Sequence, residues 1–342
     1  MEMIGKARLT QVDGTSIAWG ELGEGEPLIL LHGLGDSHRT WRRTAPLLAD
    51  RYRVLMPDLP GHGLSGRPDA PYTLEWYART IGAWMGELGI ERAHVAGHSF
   101  GGGVAQWMLL EHRERIDRLA LVAAGGLGPE VGIGLRLAAF PVLGRILAPP
   151  LMRAGTRIMM RVAGASFGTP EPAEIDRLAW MNDQPGSGRA FHRTVAGCID
   201  LFGQYMSTQD RIHEVLALPR IALFWGDLDP ILPIIHGDRA RQRLEHVTLE
   251  RYAQVGHFPH LEVHERFSLD LRAFLGEPAR PAARVRYVPV KIKRRGTVRA
   301  ALRAFFRNVG GAIRRAIRAI DGHRDRTRTS KPASPERALS PR

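Results

Sequence analysis

The stretch Gly97-His98-Ser99-Phe100-Gly101-Gly102 lies between a short apolar run, residues 93–96, and a helix-like stretch, residues 104–112. The pattern Gly-x-Ser-x-Gly between a strand and a helix is typical of a sharp turn that holds the serine hydroxyl clear of the backbone. Glycines are needed on both sides of the serine because a side chain there would collide with the neighbouring strand or helix. The sequence therefore predicts that Ser99 is a nucleophile at a strand–helix turn.

An acid and a histidine follow two later apolar runs. Residues 221–225 form one run, which is followed by Gly226-Asp227-Leu228-Asp229-Pro230. Residues 247–252 form another predicted strand, which is followed by Val255-Gly256-His257-Phe258-Pro259. A serine, an acid and a histidine in this chain order, each placed after a strand, indicate a catalytic triad.

Five segments, taken together, resemble the α/β-hydrolase superfamily. They are Leu31-His32-Gly33-Leu34-Gly35, Pro57-Asp58-Leu59-Pro60-Gly61-His62-Gly63-Leu64-Ser65, the Ser99 turn, Trp225-Gly226-Asp227-Leu228-Asp229 and Gly256-His257. They occur in the order found in that family. The resemblance implies an α/β fold with a mostly parallel, doubly wound eight-stranded sheet, a helical cap and Ser-His-Asp chemistry.

The resemblance also assigns roles to the triad. Ser99 is the expected nucleophile, and His257 is the expected base, because a serine hydroxyl needs a proton acceptor within hydrogen-bond reach. The family pattern W-G-x-x-D places the orienting carboxylate three residues after the glycine, which favours Asp229 over Asp227. We expect Asp227 to bind backbone amides of its own loop.

Other histidines are expected to be structural. His260 and His264 are predicted at helix starts or on the surface. His32 is expected to brace the loop after the third strand, and Asp58 and His62 are expected to shape the loop in which they lie.

The oxyanion formed on attack needs two preorganised N–H donors. One is expected to be the backbone N–H of Phe100, directly after the nucleophile. The other is expected in the loop after the third strand, at the backbone N–H of Leu34. Backbone donors make this prediction independent of the side chains at both positions.

The chain alternates strand-like and helix-like segments as far as residue 126. Residues 8–12 and 16–21 predict a hairpin around Asp13-Gly14, and the wholly apolar runs 27–31, 53–56, 93–96 and 119–123 predict buried parallel strands. The predicted division is a first core part at 1–126, a helical cap at 127–212, a second core part at 213–276 and a tail at 277–342. No buried-strand pattern is found at 127–212, only helix-like pieces broken by prolines. The resemblance implies that a cap is inserted over the active site at this point, after the sixth strand.

Apolar side chains of the predicted cap have two possible uses. They either pack the cap on the core or line a substrate pocket, and both can hold. The candidates for an acyl or ring pocket are Phe140, Met152, Met159, Met160 and Trp180.

The basic excess of the chain is concentrated in the tail. The formal net charge is +13, yet residues 277–342 hold 19 of the 48 Lys and Arg residues and only 4 of the 35 Asp and Glu residues. Residues 298–320 predict an amphipathic helix with arginines on one side, and the remaining polar stretch is typical of disorder. An anionic membrane surface is a possible partner of this helix, a contact with its own domain is another, and nucleic acid is the least favoured.

Composition limits the other possibilities. The single cysteine, Cys198, excludes an internal disulfide framework, and the absence of an N-terminal apolar segment or a long apolar stretch favours a cytoplasmic protein, with the inner membrane face as a peripheral location. No His, Asp or Glu cluster has metal-ligand spacing, so neither a metal nor a cofactor is expected. The oligomeric state is left open.

Serine at the turn favours acyl chemistry, because relatives that form alkyl-enzymes carry an aspartate there. The expected reaction is hydrolysis of a carboxylic ester of a small-molecule acyl substrate through an acyl-enzyme. A thioesterase and a carbon–carbon bond hydrolase of ring-cleavage products are the alternatives, and a non-catalytic binding protein is least favoured. The carbon–carbon alternative needs a cation for its carboxylate substrate, for which the cap offers Arg153, Arg157, Arg161 and Arg193.

Overall fold

The structure is a computed structural model, which describes residues 4, 6–139, 152–157, 172–206, 208, 211–215, 217–244 and 247–276. These residues all belong to one compact unit, Met1–Val288. The predicted amphipathic helix at 298–320 lies outside the described residues. No helix in the described ranges has both the length and the apolar character that a membrane crossing requires.

An eight-stranded sheet forms the centre of the fold. Its strands in chain order are β1 (Lys6–Val12), β2 (Thr15–Leu22), β3 (Glu26–Leu31), β4 (Tyr52–Pro57), β5 (Ala93–His98), β6 (Ile116–Val122), β9 (Arg220–Gly226) and β10 (Thr248–Tyr252). Their order across the sheet is β1-β2-β4-β3-β5-β6-β9-β10. Strands β7 and β8 form a separate hairpin, which is described below.

The sheet is mostly parallel. The first two strands form the predicted antiparallel hairpin around Asp13 and Gly14, and β2 also pairs antiparallel with β4. The six strands from β4 to β10 pair in parallel. These observations confirm the predicted fold class.

Alternate residues of the central strands supply two separate apolar cores. On β3, Ile29 and Leu31 belong to the core on one face, whereas Leu28 and Leu30 belong to the core on the other. All four side chains are fully buried. A strand covered on both faces must be apolar at every position, which explains why these runs show no alternation.

Helices cover the sheet and connect its strands. They are α1 (Leu74–Glu87), α2 (Phe100–Glu111), α3 (Ile133–Ala138), α4 (Pro172–Asn182), α5 (Ser187–Ala196), α6 (Ile235–Arg243), the short α7 (Pro259–Glu262) and α8 (His264–Gly276), and residues 152–157 are also helical. Short 3-10 turns occur at His38–Trp41, Ala45–Leu47, Arg113–Arg115 and Ile212–Glu214.

The segment 127–212, called the inserted segment below, contributes no strand to the main sheet within its described residues. It holds α3, α4, α5 and an unpredicted hairpin of β7 (Ile199–Asp200) and β8 (Gly203–Gln204). The Asp200 carboxylate turns this hairpin by accepting the N–H groups of Phe202 at 2.7 Å and Gly203 at 3.1 Å. Strands of two residues carry no periodicity, so the sequence could not reveal them. The cap assignment and its boundaries stay predictions.

Candidate active site

Ser99 occupies a strained backbone conformation between β5 and α2. Its φ of 52° and ψ of −116° lie in a region that side chains rarely adopt. The chain is tightly packed on both sides: a Cβ on Gly97 would lie 2.4 Å from the Gly101 carbonyl oxygen, and one on Gly101 would lie 2.5 Å from the His32 carbonyl oxygen. The glycines are therefore required by close backbone contacts.

The loop after β6 holds this turn from the other side. The Ser99 N–H donates to the Val122 carbonyl at 2.9 Å, and the Gly125 N–H donates to the Ser99 carbonyl at 2.9 Å. Both backbone polar groups of Ser99 are thus satisfied, and its side chain is partly exposed. The strain is maintained by surrounding hydrogen bonds.

Asp229 lies in the loop after β9 and its two carboxylate oxygens have different partners. Oδ1 accepts the N–H groups of Ile231 at 2.8 Å and Leu232 at 2.9 Å. Oδ2 lies 2.7 Å from Nδ1 of His257, which donates the hydrogen bond. The carboxylate is buried and fixed in direction, as an acid that orients a histidine must be.

The prediction for Asp227 was wrong. Its Oδ1 accepts a hydrogen bond from Nε of Arg251 at 2.9 Å, in a partly exposed ion pair. The loop amides are bound by Asp229 instead. Arg251 lies on the neighbouring strand β10, so this partner depends on strand order and could not be found from the local sequence.

His257 follows β10 and is buried, with 3% of its surface exposed. Since Nδ1 is hydrogen-bonded to Asp229, Nε2 is the ring atom left to accept a proton. Its backbone carbonyl accepts a hydrogen bond from Nε2 of His98, at 2.8 Å, and the two rings are 4.8 Å apart. Ser99 directly follows His98 in the chain, and among the described residues no hydrogen bond joins the Ser99 hydroxyl to the His257 ring.

The predicted oxyanion loop lies beside the serine. A Cβ on Gly33 would be 3.3 Å from Cβ of Ser99. The Gly33 carbonyl accepts a hydrogen bond from Nδ1 of His32 at 2.8 Å, which fixes the peptide unit whose other end is the Leu34 N–H. Within the described residues, neither the Leu34 N–H nor the Phe100 N–H donates to a protein acceptor. Both donors are therefore available to a ligand.

His32 and Asp58 hold the loops after β3 and β4 together. Nε2 of His32 accepts the Leu59 N–H at 2.8 Å. The Asp58 carboxylate accepts hydrogen bonds from His38 Nδ1 at 2.8 Å and from the Leu64 N–H at 2.7 Å. Burial raises the pKa of Asp58, but its interactions with His38, His32 and the Leu64 N–H together lower the pKa overall.

His260 lies at a helix start, one of its two predicted placements, as the second residue of α7, and it is completely buried. Its ring lies 4.4 Å from the ring of His98 and 4.5 Å from that of Trp41, and its Nε2 is 2.9 Å from the Thr40 hydroxyl. His264 begins α8, as expected.

Helix α4 of the inserted segment contacts the loop that carries Leu34. Nδ2 of Asn182 donates to the Gly35 carbonyl at 2.7 Å, and Nη1 of Arg177 donates to the Ser37 hydroxyl at 3.2 Å. Nη2 of Arg39, in the same loop region, donates to Glu174 of α4 at 2.7 Å. No sequence signal pointed to these contacts, because they join residues about 140 positions apart.

Only part of the predicted pocket can be placed. Trp180 lies on α4 with 46% of its surface exposed, and Met152 is buried. Phe140, Met159 and Met160 lie outside the described residues, and the pocket assignment stays a prediction. Within the described part of the chain, no cluster of His, Cys, Asp or Glu is arranged to hold a metal ion.

Three of the four arginines considered as carboxylate-binding groups are paired with aspartates. The pairs are Arg153 with Asp183 at 3.6 Å, Arg157 with Asp176 at 2.8 Å, and Arg193 with Asp69. Each of these arginines is at least one-third exposed. Arg161 lies outside the described residues.

Comparison with known proteins identifies the family of this chain. The sequence profile of the alpha/beta hydrolase fold family matches residues 26–142. An uncharacterized protein of Mycobacterium tuberculosis is 34% identical over 277 residues, which cover 78% of this chain and 81% of that protein. The chain belongs to the α/β-hydrolase superfamily.

Two further relatives of this hydrolase carry names that describe an activity. The 2-hydroxymuconate semialdehyde hydrolase of a Pseudomonas species is 29% identical over 263 residues, which cover 75% of this chain and 88% of that enzyme. The crystal structure of a bacterial membrane phospholipase A is similar with a TM-score of 0.65 and 26% identity, covering 79% of this chain and 85% of that one. This chain is similar to enzymes with different substrates.

The backbone strain at Ser99 predicts an unusual order of stability. Ser99→Gly should be more stable than Ser99→Ala by about 1–2 kcal/mol, because only glycine relieves the positive φ. Chemical denaturation measures the difference. At Ser268, within α8, the alanine variant should be more stable than the glycine variant, because alanine is more favourable than glycine in a helix interior. If Ser99→Ala were as stable as Ser99→Gly or more stable, the result would contradict backbone strain at this position.

The buried His62 predicts a loss of stability in acid. Burial lowers its pKa from 6.5 to about 3, so below pH 6.5 the unfolded chain binds a proton that the folded chain does not. The free energy of unfolding should therefore fall by about 1.4 kcal/mol per pH unit from this residue alone. Denaturation at pH values from 8 to 4.5 should give a shallower slope for His62→Gln below pH 6.5 and parallel curves above pH 7.5. Parallel curves throughout would refute this assignment.

Proposed function

We propose that this protein is a serine hydrolase that cleaves a carboxylic ester through an acyl-enzyme on Ser99. The observation that carries the proposal is the placement of a serine at the strained turn, beside two backbone N–H groups that have no acceptor in the part of the protein that the structure describes. An ester carbonyl bound there would present its carbon to the hydroxyl and its oxygen to the two donors. The substrate is a small acyl compound.

The proposed reaction assigns one task to each residue. His257 takes the proton of the Ser99 hydroxyl at Nε2 as the oxygen attacks the carbonyl carbon, and the oxyanion accepts hydrogen bonds from the N–H groups of Leu34 and Phe100. The protonated histidine then gives its proton to the leaving alcohol, and an ester bond to Ser99 forms. Water, deprotonated by His257, hydrolyses that ester and restores the serine.

Asp229 supports this cycle by orientation and charge. Its hydrogen bond to Nδ1 holds the tautomer in which Nε2 accepts a proton, and its negative charge stabilises the imidazolium that forms. Since Oδ1 is occupied by two backbone N–H groups, the carboxylate cannot turn away from the histidine without losing them.

Carbon–carbon bond hydrolysis is the second candidate, and thioester hydrolysis follows the same acyl-enzyme route. The 29% identity to 2-hydroxymuconate semialdehyde hydrolase favours the former. The pairing of Arg153, Arg157 and Arg193 with aspartates favours an ester, because a carboxylate substrate would have to compete with these partners. The similarity to a phospholipase A also supports ester chemistry.

A fluorophosphonate probe and a substrate panel test the proposal. The probe should label the wild type at Ser99 and fail to label Ser99→Ala. Turnover of p-nitrophenyl esters, acyl thioesters and ring-cleavage dienoates should be highest for the esters and absent in Ser99→Ala. Dienoate turnover without ester turnover would replace the proposal by its second candidate, and an unlabelled wild type would overturn both.

Two neighbouring aspartates provide a matched test of the orienting acid. Asp229→Asn should lower kcat about 10³- to 10⁴-fold, because the amide favours the wrong histidine tautomer. Asp227→Asn removes only a partly exposed ion pair with Arg251 and should change kcat less than about twofold. Equal losses in both variants would contradict the assignment of Asp229.

The basic tail is proposed to bring the enzyme to an anionic membrane surface. Its sequence supports this: residues 298–320 combine an apolar set with Arg299, Arg303, Arg307, Arg314 and Arg318 and contain no acid. The full chain should float with liposomes that contain anionic lipid, and a chain truncated after Gly276 should not. Equal flotation of the full and the truncated chain would contradict membrane binding by the tail.

A further inference from the structure

One peptide unit next to His257 is held by side chains at both of its polar ends. The His257 carbonyl accepts the hydrogen bond from Nε2 of His98 at 2.8 Å. The Phe258 N–H, in the same peptide plane, donates to Oε1 of Glu262 at 2.9 Å. Because the plane is rigid, these two contacts fix the backbone rotation on the carboxyl side of His257.

Glu262 also holds the residue before the histidine. Its Oε2 accepts the Gly256 N–H at 2.9 Å, so a single carboxylate joins the N–H groups on both sides of His257. Among the described residues, neither N–H has another acceptor. Burial raises the pKa of Glu262, and the two backbone hydrogen bonds act in the opposite direction by favouring the carboxylate.

The opposite side of the histidine loop is closed by backbone contacts with the loop that carries Asp229. The Leu228 N–H donates to the Val255 carbonyl at 2.9 Å. A Cβ on Gly226 would lie only 2.2 Å from the Gly256 carbonyl oxygen, so the two loops touch without side chains between them. The histidine loop cannot shift towards β9, and the side chains of Glu262 and His98 hold it from other directions.

We infer that Glu262 and His98 are positioning residues that keep the His257 ring aligned between Asp229 and Ser99. This inference rests on the proposed role of His257 as the base. Neither side chain touches the reacting atoms; each acts through the backbone of His257. The reason for a catalytic effect is geometric, since a displacement of about 1 Å in a reacting group can cost about 100-fold in rate.

The chain offers a matched pair of glutamates for the first test. Glu262→Gln keeps the side-chain length but replaces one acceptor oxygen by an amide nitrogen that cannot accept an N–H. We expect kcat to fall about 10- to 100-fold with KM within about twofold. Glu265→Gln, three residues later on an exposed side of α8, should leave both unchanged. A lowered melting temperature with an unchanged kcat would reduce Glu262 to a structural role and overturn the inference.

His98→Phe provides the second arm, because it keeps an aromatic ring and removes the donor. His98→Phe should lower kcat in the same way as Glu262→Gln. It therefore tests the inference even if Glu262→Gln does not fold. The two losses should be less than additive in the double variant, since both act on one peptide unit. Full additivity of the two losses, or an unchanged kcat in folded His98→Phe, would contradict a joint action of Glu262 and His98 on this peptide unit.

A readout without turnover separates this inference from the proposed function. Ring ¹⁵N chemical shifts, recorded at mildly alkaline pH with His257 assigned by substitution, report the histidine tautomer. The wild type and Glu265→Gln should hold the Nδ1–H form, and Glu262→Gln should populate both forms. Two tautomers in Glu262→Gln would support the positioning role even if the protein cleaved no ester. An unaltered tautomer in Glu262→Gln would refute the positioning role even if the protein cleaved esters.

Discussion

The close approach of three backbones at Gly97 and Gly101 is the constraint on which the candidate site depends. Strand β5, helix α2 and the end of β3 meet there at distances that leave no room for a side chain. This contact forces Ser99 into its strained turn and places the loop of Gly33 and Leu34 next to its Cβ. The proposed nucleophile and one proposed oxyanion donor therefore come from distant positions in the chain.

The remaining parts follow from the parallel sheet. Strands β9 and β10 end at the same edge as β5, so the loops with Asp229 and His257 emerge beside the serine turn. Buried neutral histidines fill the space between these loops: burial lowers the pKa of His98 and His260 well below 6.5. An uncharged imidazole can donate at one nitrogen and pack through its ring, which suits a crowded region that must stay free of additional charge.

Sequence reasoning succeeded where one chain segment determines the outcome. The strand runs, the hairpin at Asp13 and the turn at Ser99 were predicted because apolar periodicity and glycine placement are local properties. It failed for Asp227, whose partner Arg251 comes from the neighbouring strand, and it did not show that His260, at its predicted helix start, is buried against Thr40. The role of Glu262 was missed for the same reason, since its two acceptor oxygens look like those of any helix glutamate until the loop is folded against them.

The contacts between α4 and the loop after β3 link substrate preference to turnover. Asn182 holds the Gly35 carbonyl, one residue beyond the Leu34 N–H proposed as a donor to the oxyanion. Substitutions on α4 near Trp180, one of the predicted pocket residues, would also disturb that proposed donor. A change of substrate preference through this helix would therefore carry a cost in turnover, and second substitutions in the loop would be needed to restore the rate. Directed evolution of this enzyme would have to alter helix and loop together.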